Sequence, residues 1–362
     1  MTDHPILFIP GPVEVDEELR QIMAMPLLGH RDPAVKELSI RLASKLKQLY
    51  RTEQHAFFEN APATALMEAS IRNVVSRRSL HFASGAFGSR WIKVSKACGK
   101  QPSAIELPMG AAITPELVEE TLKSLAAEGG DPIEAVCFTH NETSTGVLNP
   151  LAECAAVVRR ELPDALILVD AVTSVGGAPL EFDAWGLDVA FAGTQKCLAL
   201  PPGLVTYAVS ERAIEKAATI DDRGFLLDFT LGPGRFAKGA PPATPNVPLL
   251  FALERQLDRI AEEGLENRWA RHQAMRDETV SWAQKHGFEP FVAEAFRSTT
   301  VSTLRAEGDA LNGIIARAKQ AGFTLGKGYG DLKEQTFRVG HMGDHTLERL
   351  RALLTAIEPV AV

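Results

Sequence analysis

The sequence predicts an α/β protein: a large domain built on a mainly parallel sheet, followed by a smaller C-terminal α+β domain. Three observations carry this prediction. Helical and strand-like patterns alternate to about residue 215, as expected when helices cover both faces of a parallel sheet. The run Ala165-Leu-Ile-Leu-Val169 is continuously aliphatic, which fits a strand buried on both faces. Leu249 to His286 carries apolar residues at helical spacing with charges between them, and so links the two domains. A chain of 362 residues with 45% hydrophobic content is long enough for two cores. The expected divisions are an N-terminal arm at 1–17, a large domain at 18–250 and a small domain at 251–362.

Residues 1 to 35 are punctuated by Pro and Gly and read as an arm crossing the surface before the first long helix. From Ile214 to Pro248 the pattern breaks into Gly- and Pro-rich text, LGPGRFAKGAPPATPNVP at 231–248. A loop of that length inside a compact domain tends to be functional. The chain shows no internal repeat and no low-complexity tail.

Charge and composition exclude several classes. With a net charge of −8 and no long basic run, the chain is a poor partner for nucleic acid. No apolar run reaches membrane length and the opening residues lack a charged start with an apolar core, so the expectation is a soluble, cytoplasmic protein with no membrane partner. Cys98, Cys137, Cys154 and Cys197 lack CxxC spacing, which argues against both a zinc site and a disulfide framework.

Lys196 is the most informative residue. It lies between the strand-like runs Asp188-Val-Ala-Phe-Ala-Gly193 and Leu204-Val-Thr-Tyr-Ala208, on a short link bounded by Gly and Pro. Burial there lowers an ammonium pKa and makes the amine nucleophilic. A solvated turn is the other reading of a lone lysine. Asp170 ends the aliphatic run, where ligands of open α/β sheets bind; alone it suits a metal ligand, a ribose contact or a helix cap. Together the two match what pyridoxal phosphate needs, an amine for a Schiff base and an acid beside the pyridine nitrogen.

This pair, with HNETSTGV at 140–147, FRVGHMGD at 337–344 and Phe8-Ile-Pro-Gly-Pro12, resembles the class V aminotransferases of pyridoxal-phosphate fold type I. The most similar branch is that of the alanine/serine–glyoxylate and serine–pyruvate aminotransferases. The resemblance spans nearly the whole chain. It implies ping-pong transamination of alanine or serine with glyoxylate or pyruvate, Lys196 carrying the cofactor as a Schiff base and Asp170 making its ring an electron sink. Ala63 and Thr64 correspond to phosphate contacts, although relatives place a glycine-rich segment where this chain has Ala-Pro-Ala and Pro62 offers no N–H. Gln195 and Thr244 correspond to further phosphate contacts, Thr244 from a neighbouring subunit; Pro241 stands where some relatives have Tyr. Phe87 corresponds to the residue stacked on the ring, with Trp91 its rival. Thr143 corresponds to the hydroxyl that bonds the phenolic oxygen.

Arg338 corresponds to the clamp for the substrate carboxylate, for which a guanidinium offers two parallel hydrogen bonds. His30 and Arg31 resemble an element contacting the distal end of substrate. His140 and Glu142 are expected to be structural, without a metal. A homodimer with shared active sites is implied. The alternative activity is on phosphoserine or 2-aminoethylphosphonate, for which His30, Arg31, His341, Lys327 and Arg90 are candidate phosphate binders. A desulfurase or related lyase needs a thiol well after the lysine, and no Cys follows Cys197. A non-catalytic protein of this fold would be expected to lose Lys196, Asp170 or Arg338.

Overall fold

In the computed structural model, which describes residues 4–359, seven strands form the central sheet. They are β1 (His55–Glu59), β2 (Arg78–Ala83), β3 (Gln101–Glu106), β4 (Ala135–Thr139), β5 (Leu166–Asp170), β6 (Val189–Gly193) and β7 (Val205–Val209). Their order across the sheet is β1-β7-β6-β5-β4-β2-β3. Only β7 runs antiparallel to its neighbours; the remaining pairs are parallel. Strands β4 to β7 are buried along their whole length, which is why their sequences lack polar alternation. The edge strand β3 is partly exposed and contains Pro102, tolerated because an edge leaves one row of backbone groups unpaired. Because the parallel strands share one direction, the segments that leave β2, β4, β5 and β6 all emerge at the same end of the sheet.

A second, smaller core gathers Phe8, Met275, Trp282, Phe288, Phe337 and Leu350. Its sheet is antiparallel, with Thr336–Gly340 between Val301–Arg305 and Gly326–Lys327. Contrary to the expectation of a surface arm, Ile6–Leu7 pairs in parallel with Phe323–Thr324, and Phe8 is fully buried and stacked on His345 at 4.0 Å. Burial of one aromatic ring, worth about 2–3 kcal/mol, is reason enough for the chain to enter this unit.

The helical link is two helices, Val247–Glu263 and Leu265–Lys285, interrupted at Gly264, whose φ of 79° a side chain would resist. The first packs Leu249, Leu250 and Leu253 on the large core, and the second sends Met275 and Trp282 into the small one. The Gly- and Pro-rich stretch starts inside helix Glu211–Ala218 and is pinned midway by buried Phe229 and Phe236. Among the described residues no helix is long and apolar enough to cross a membrane.

Candidate active site

Lys196 lies three residues beyond β6 in a turn closed by Ala199 N–H to Lys196 O and Leu200 N–H to Thr194 O. Ala199 adopts φ 49° there, one of two non-glycine residues with positive φ among those described, so the turn carries backbone strain. The ammonium donates to Pro10 O. Gly11, at φ 113°, passes so close that a Cβ would lie 2.7 to 2.8 Å from Lys196 Cδ, Cε and Nζ. Burial, followed by the nearby Arg338 charge, lowers the amine to about 8. The bland alternative of a solvated turn lysine is therefore set aside by geometry.

Asp170 closes β5. It accepts from Val172 N–H at 3.0 Å, and burial lifts its carboxyl to about 7, with the Glu142 charge pushing the same way. A cationic group beside it would draw that value down again. Across the strand end, Thr143 and Thr173 share a hydrogen bond of 2.5 Å. Asn141 donates to Thr300 Oγ1 at 3.0 Å, while its own Oδ1 is buried without a protein partner.

Phe87 is placed by a buried carboxylate. Glu142 accepts from Phe87 N–H at 3.0 Å, Gly88 N–H at 3.1 Å and Ser144 N–H at 3.1 Å, and Ser144 Oγ in turn accepts from Ala86 N–H. The Ala86, Phe87 and Gly88 N–H groups belong to the first turn of helix Ala86–Ala97, where acceptors meet unpaired donors and the positive end of the helix dipole; burial raises the Glu142 carboxyl. Gly85 permits the arrangement, since a Cβ there would sit 2.5 Å from Glu142 Cγ. Trp91 is no rival to Phe87: its ring is core, packed on Phe191, and its indole N–H bonds Met67 O. His140 is likewise packed, edge-on to Trp185, and burial lowers it to about 3. Among the described residues no cluster of three or more His, Cys, Asp or Glu could hold a metal.

Helix Ala63–Val74 starts after Pro62 with no side-chain cap. Pro62, Ala63 and Thr64 line one cleft of about 120 Å³ together with Met67, Phe87, Arg90, Asn141, Thr143, Asp170, Thr173, Gln195 and Lys196. Gln195 folds back on β6, where a Cβ on Gly193 would meet its Oε1 at 2.5 Å. Arg338 stands beside the cleft, half-buried on the central strand of the small sheet. Its guanidinium donates to Thr143 O at 3.1 Å and Lys327 O at 3.2 Å.

Against known proteins, the sequence pattern of the family described as aminotransferase class-V matches residues 91–302. The chain belongs to the class-V aminotransferases. It is 36% identical to an uncharacterized aminotransferase of Methanocaldococcus jannaschii, covering 98% of this chain and 91% of that protein. It is 32% identical to the L-aspartate–glyoxylate aminotransferase of Paracoccus denitrificans, over 96% and 88% respectively. The crystal structure of alanine–glyoxylate aminotransferase from Nostoc sp. superposes with a TM-score of 0.90 at 30% identity, covering 98% of this chain and 94% of that one. The fold is that of pyridoxal-phosphate enzymes of fold type I, and this aminotransferase uses pyridoxal phosphate with amino acid and oxo acid substrates.

The residues present fit that cofactor. A buried amine and a buried carboxyl flank the cleft, an uncapped helix start offers donors for a phosphate, and Asn141 Oδ1 leaves one acceptor unsatisfied in its wall. Seven of the residues expected from sequence meet here: Lys196, Asp170, Phe87, Thr143, Gln195, Ala63 and Thr64. His30, Arg31 and Thr244 do not join them within one chain. They line a separate surface pocket of about 290 Å³ with Lys36 and residues 239–245. Sequence reasoning missed Gly11, Asn141, Thr173 and the capping role of Glu142. The HNETSTGV motif contains two of these, but only packing shows which backbone groups they meet.

Proposed function

We propose that this aminotransferase passes the amino group of alanine or serine to glyoxylate or pyruvate, acting in the cytoplasm as a homodimer with shared active sites. The observation that carries the donor assignment is Arg338. It is positioned by Thr143 O and Lys327 O and is close enough to depress the Lys196 amine, so a carboxylate bound to it sets the donor amine and Cα beside Lys196. Relatives named for glyoxylate, including the serine–glyoxylate aminotransferase of Arabidopsis thaliana at 30% identity, support the acceptor.

Pyridoxal phosphate, when bound, supplies an aldehyde that bonds an amine and a ring that accepts electrons from Cα. The chain's own groups do the rest. Lys196, with its amine lowered to about 8, has a far larger unprotonated fraction at neutral pH than an ordinary lysine, and that fraction would hold the aldehyde carbon. With the donor amine in its place, Lys196 Nζ would be positioned to take the proton from the donor Cα and to deliver it to the carbon on the other side of the donor nitrogen. Asp170 would lie beside the ring nitrogen, whose positive charge would favour its anionic form, Phe87 would limit the tilt of the ring, and Thr143 would bond its phenolic oxygen. Ala63, Thr64 and Gln195 would hold the phosphate, and Thr244 of a second subunit would complete it.

The phosphorylated-donor alternative loses ground at specific residues. His341 is buried on Ser302 Oγ and lowered to about 3, so it is uncharged. Lys327 pairs with Glu334 at 2.7 Å. A panel of half-reactions, reading loss of the cofactor absorption band with each amino acid, tests the assignment. Alanine and serine should react fastest; phosphoserine reacting about a hundredfold faster would overturn it.

A further inference from the structure

Tyr329 belongs to neither hydrophobic core, although the other two tyrosines lie in the large one. It projects from a turn of the small unit that the backbone holds tightly. Gly328 N–H donates to Thr336 O at 2.7 Å, Leu332 N–H to Tyr329 O at 3.1 Å, and Thr336 Oγ1 to Leu332 O at 3.0 Å. Gly328 is needed, because a Cβ would collide with Leu332 O, and Gly330 has φ 56°. The residue between these glycines is therefore presented rigidly.

What Tyr329 meets are site groups. Its hydroxyl accepts from Arg90 at 3.3 Å, and its ring centroid is 5.7 Å from that of Phe87. The Arg338 guanidinium stands over the same ring at 5.8 Å, and that of Arg90 over Phe87 at 4.9 Å. Phe87, Arg90, Tyr329 and Arg338 thus form one continuous wall. It runs from the large unit, where the cofactor ring is to stack, to the clamp for the donor carboxylate in the small unit. A donor held by Arg338 with its Cα toward Lys196 would carry its side chain alongside this wall. Cation–π contacts and one hydrogen bond resist its opening.

We propose that Tyr329 determines donor specificity, closing the space beside Arg338 against amino acids bulkier than alanine or serine. This rests on the small-donor assignment above. The test compares kcat/KM for leucine and alanine in the full-length holoenzyme and its variants, with cofactor absorbance and the melting temperature of the cofactor-free protein as checks on folding. Tyr329→Ala should raise the leucine-to-alanine ratio at least about tenfold, the scale on which pocket shape discriminates apolar groups. Tyr329→Phe keeps the ring and should leave the ratio within about twofold. Tyr329→Trp should lower the serine-to-alanine ratio, a second readout should the alanine variant fold poorly. An unchanged ratio in Tyr329→Ala, or an equal loss for both donors, overturns the role of Tyr329 and leaves the small-donor assignment standing. A wild-type enzyme that prefers leucine overturns both.

Discussion

Two groups of residues that the sequence assigns to one site end up in different surroundings. Lys196, Asp170, Phe87, Thr143, Gln195, Ala63 and Thr64 line a single cleft at the end of the parallel strands. His30, Arg31 and Thr244 line an open pocket elsewhere, the first two just after the exposed Leu27 and Leu28 in sequence. The first group is assembled by one chain's sheet; the second reaches toward it through Asn60. That residue precedes the phosphate helix, donates to Thr244 O and accepts from Asn246 N–H at 3.0 Å. The difference separates a site that one chain assembles from a surface that, in the dimer proposed above, a second copy would complete.

The sharpest break between the groups comes from Lys196→Ala. It removes both the nucleophile and the proton carrier, and turnover should fall at least about a thousandfold with the fold retained. Thr244→Arg should also inactivate, but through the neighbour. Mixing these two inactive variants should then restore roughly a quarter of wild-type activity, because half of randomly paired dimers contain one intact site of two. No recovery on mixing, or a fully active monomer in sedimentation, would reduce the second pocket to ordinary surface.

Within the cleft, Glu142→Ala should cost about 2–4 kcal/mol in a urea titration, since it strands the buried N–H groups of Phe87 and Gly88 and leaves a cavity. The equivalent change at Glu254, which pairs with Arg41 at the surface, should cost about 1 kcal/mol or less.

A finer distinction lies in pH. Burial and Arg338 place the Lys196 amine at about 8, below its ordinary value, so the fraction able to capture the aldehyde rises with pH through that point. The rate of cofactor capture by the cofactor-free protein should climb with a midpoint near 8. Arg338→Met should move the midpoint upward, because a repelling charge is removed. A pH-independent rate would contradict the assignment of Lys196 as the capturing amine.

Much of this was legible in the chain itself, and the legible part has a common cause. The aliphatic run of β5, its terminal Asp170 and the link holding Lys196 are local signals, each set by residues adjacent in sequence. What stayed hidden depends on contacts across long separations. Pro10 and Gly11 cover Lys196 from 186 residues away, and Glu142 caps a helix that begins more than fifty residues earlier. The entry of Phe8 into the small core was hidden for the same reason: its partners Phe323 and His345 lie at the far end of the chain. Gly264 was visible as a residue, but its φ of 79° was not, and so one helix was expected where two meet.

The central claim is that Lys196 is the amine holding the cofactor. Reduction of the holoenzyme with borohydride, followed by peptide mapping, tests it most directly. The cofactor's mass should appear on the peptide containing Lys196 and vanish in Lys196→Ala. A label on Lys327, Lys36 or any other lysine, with the Lys196 peptide unmodified, would contradict it.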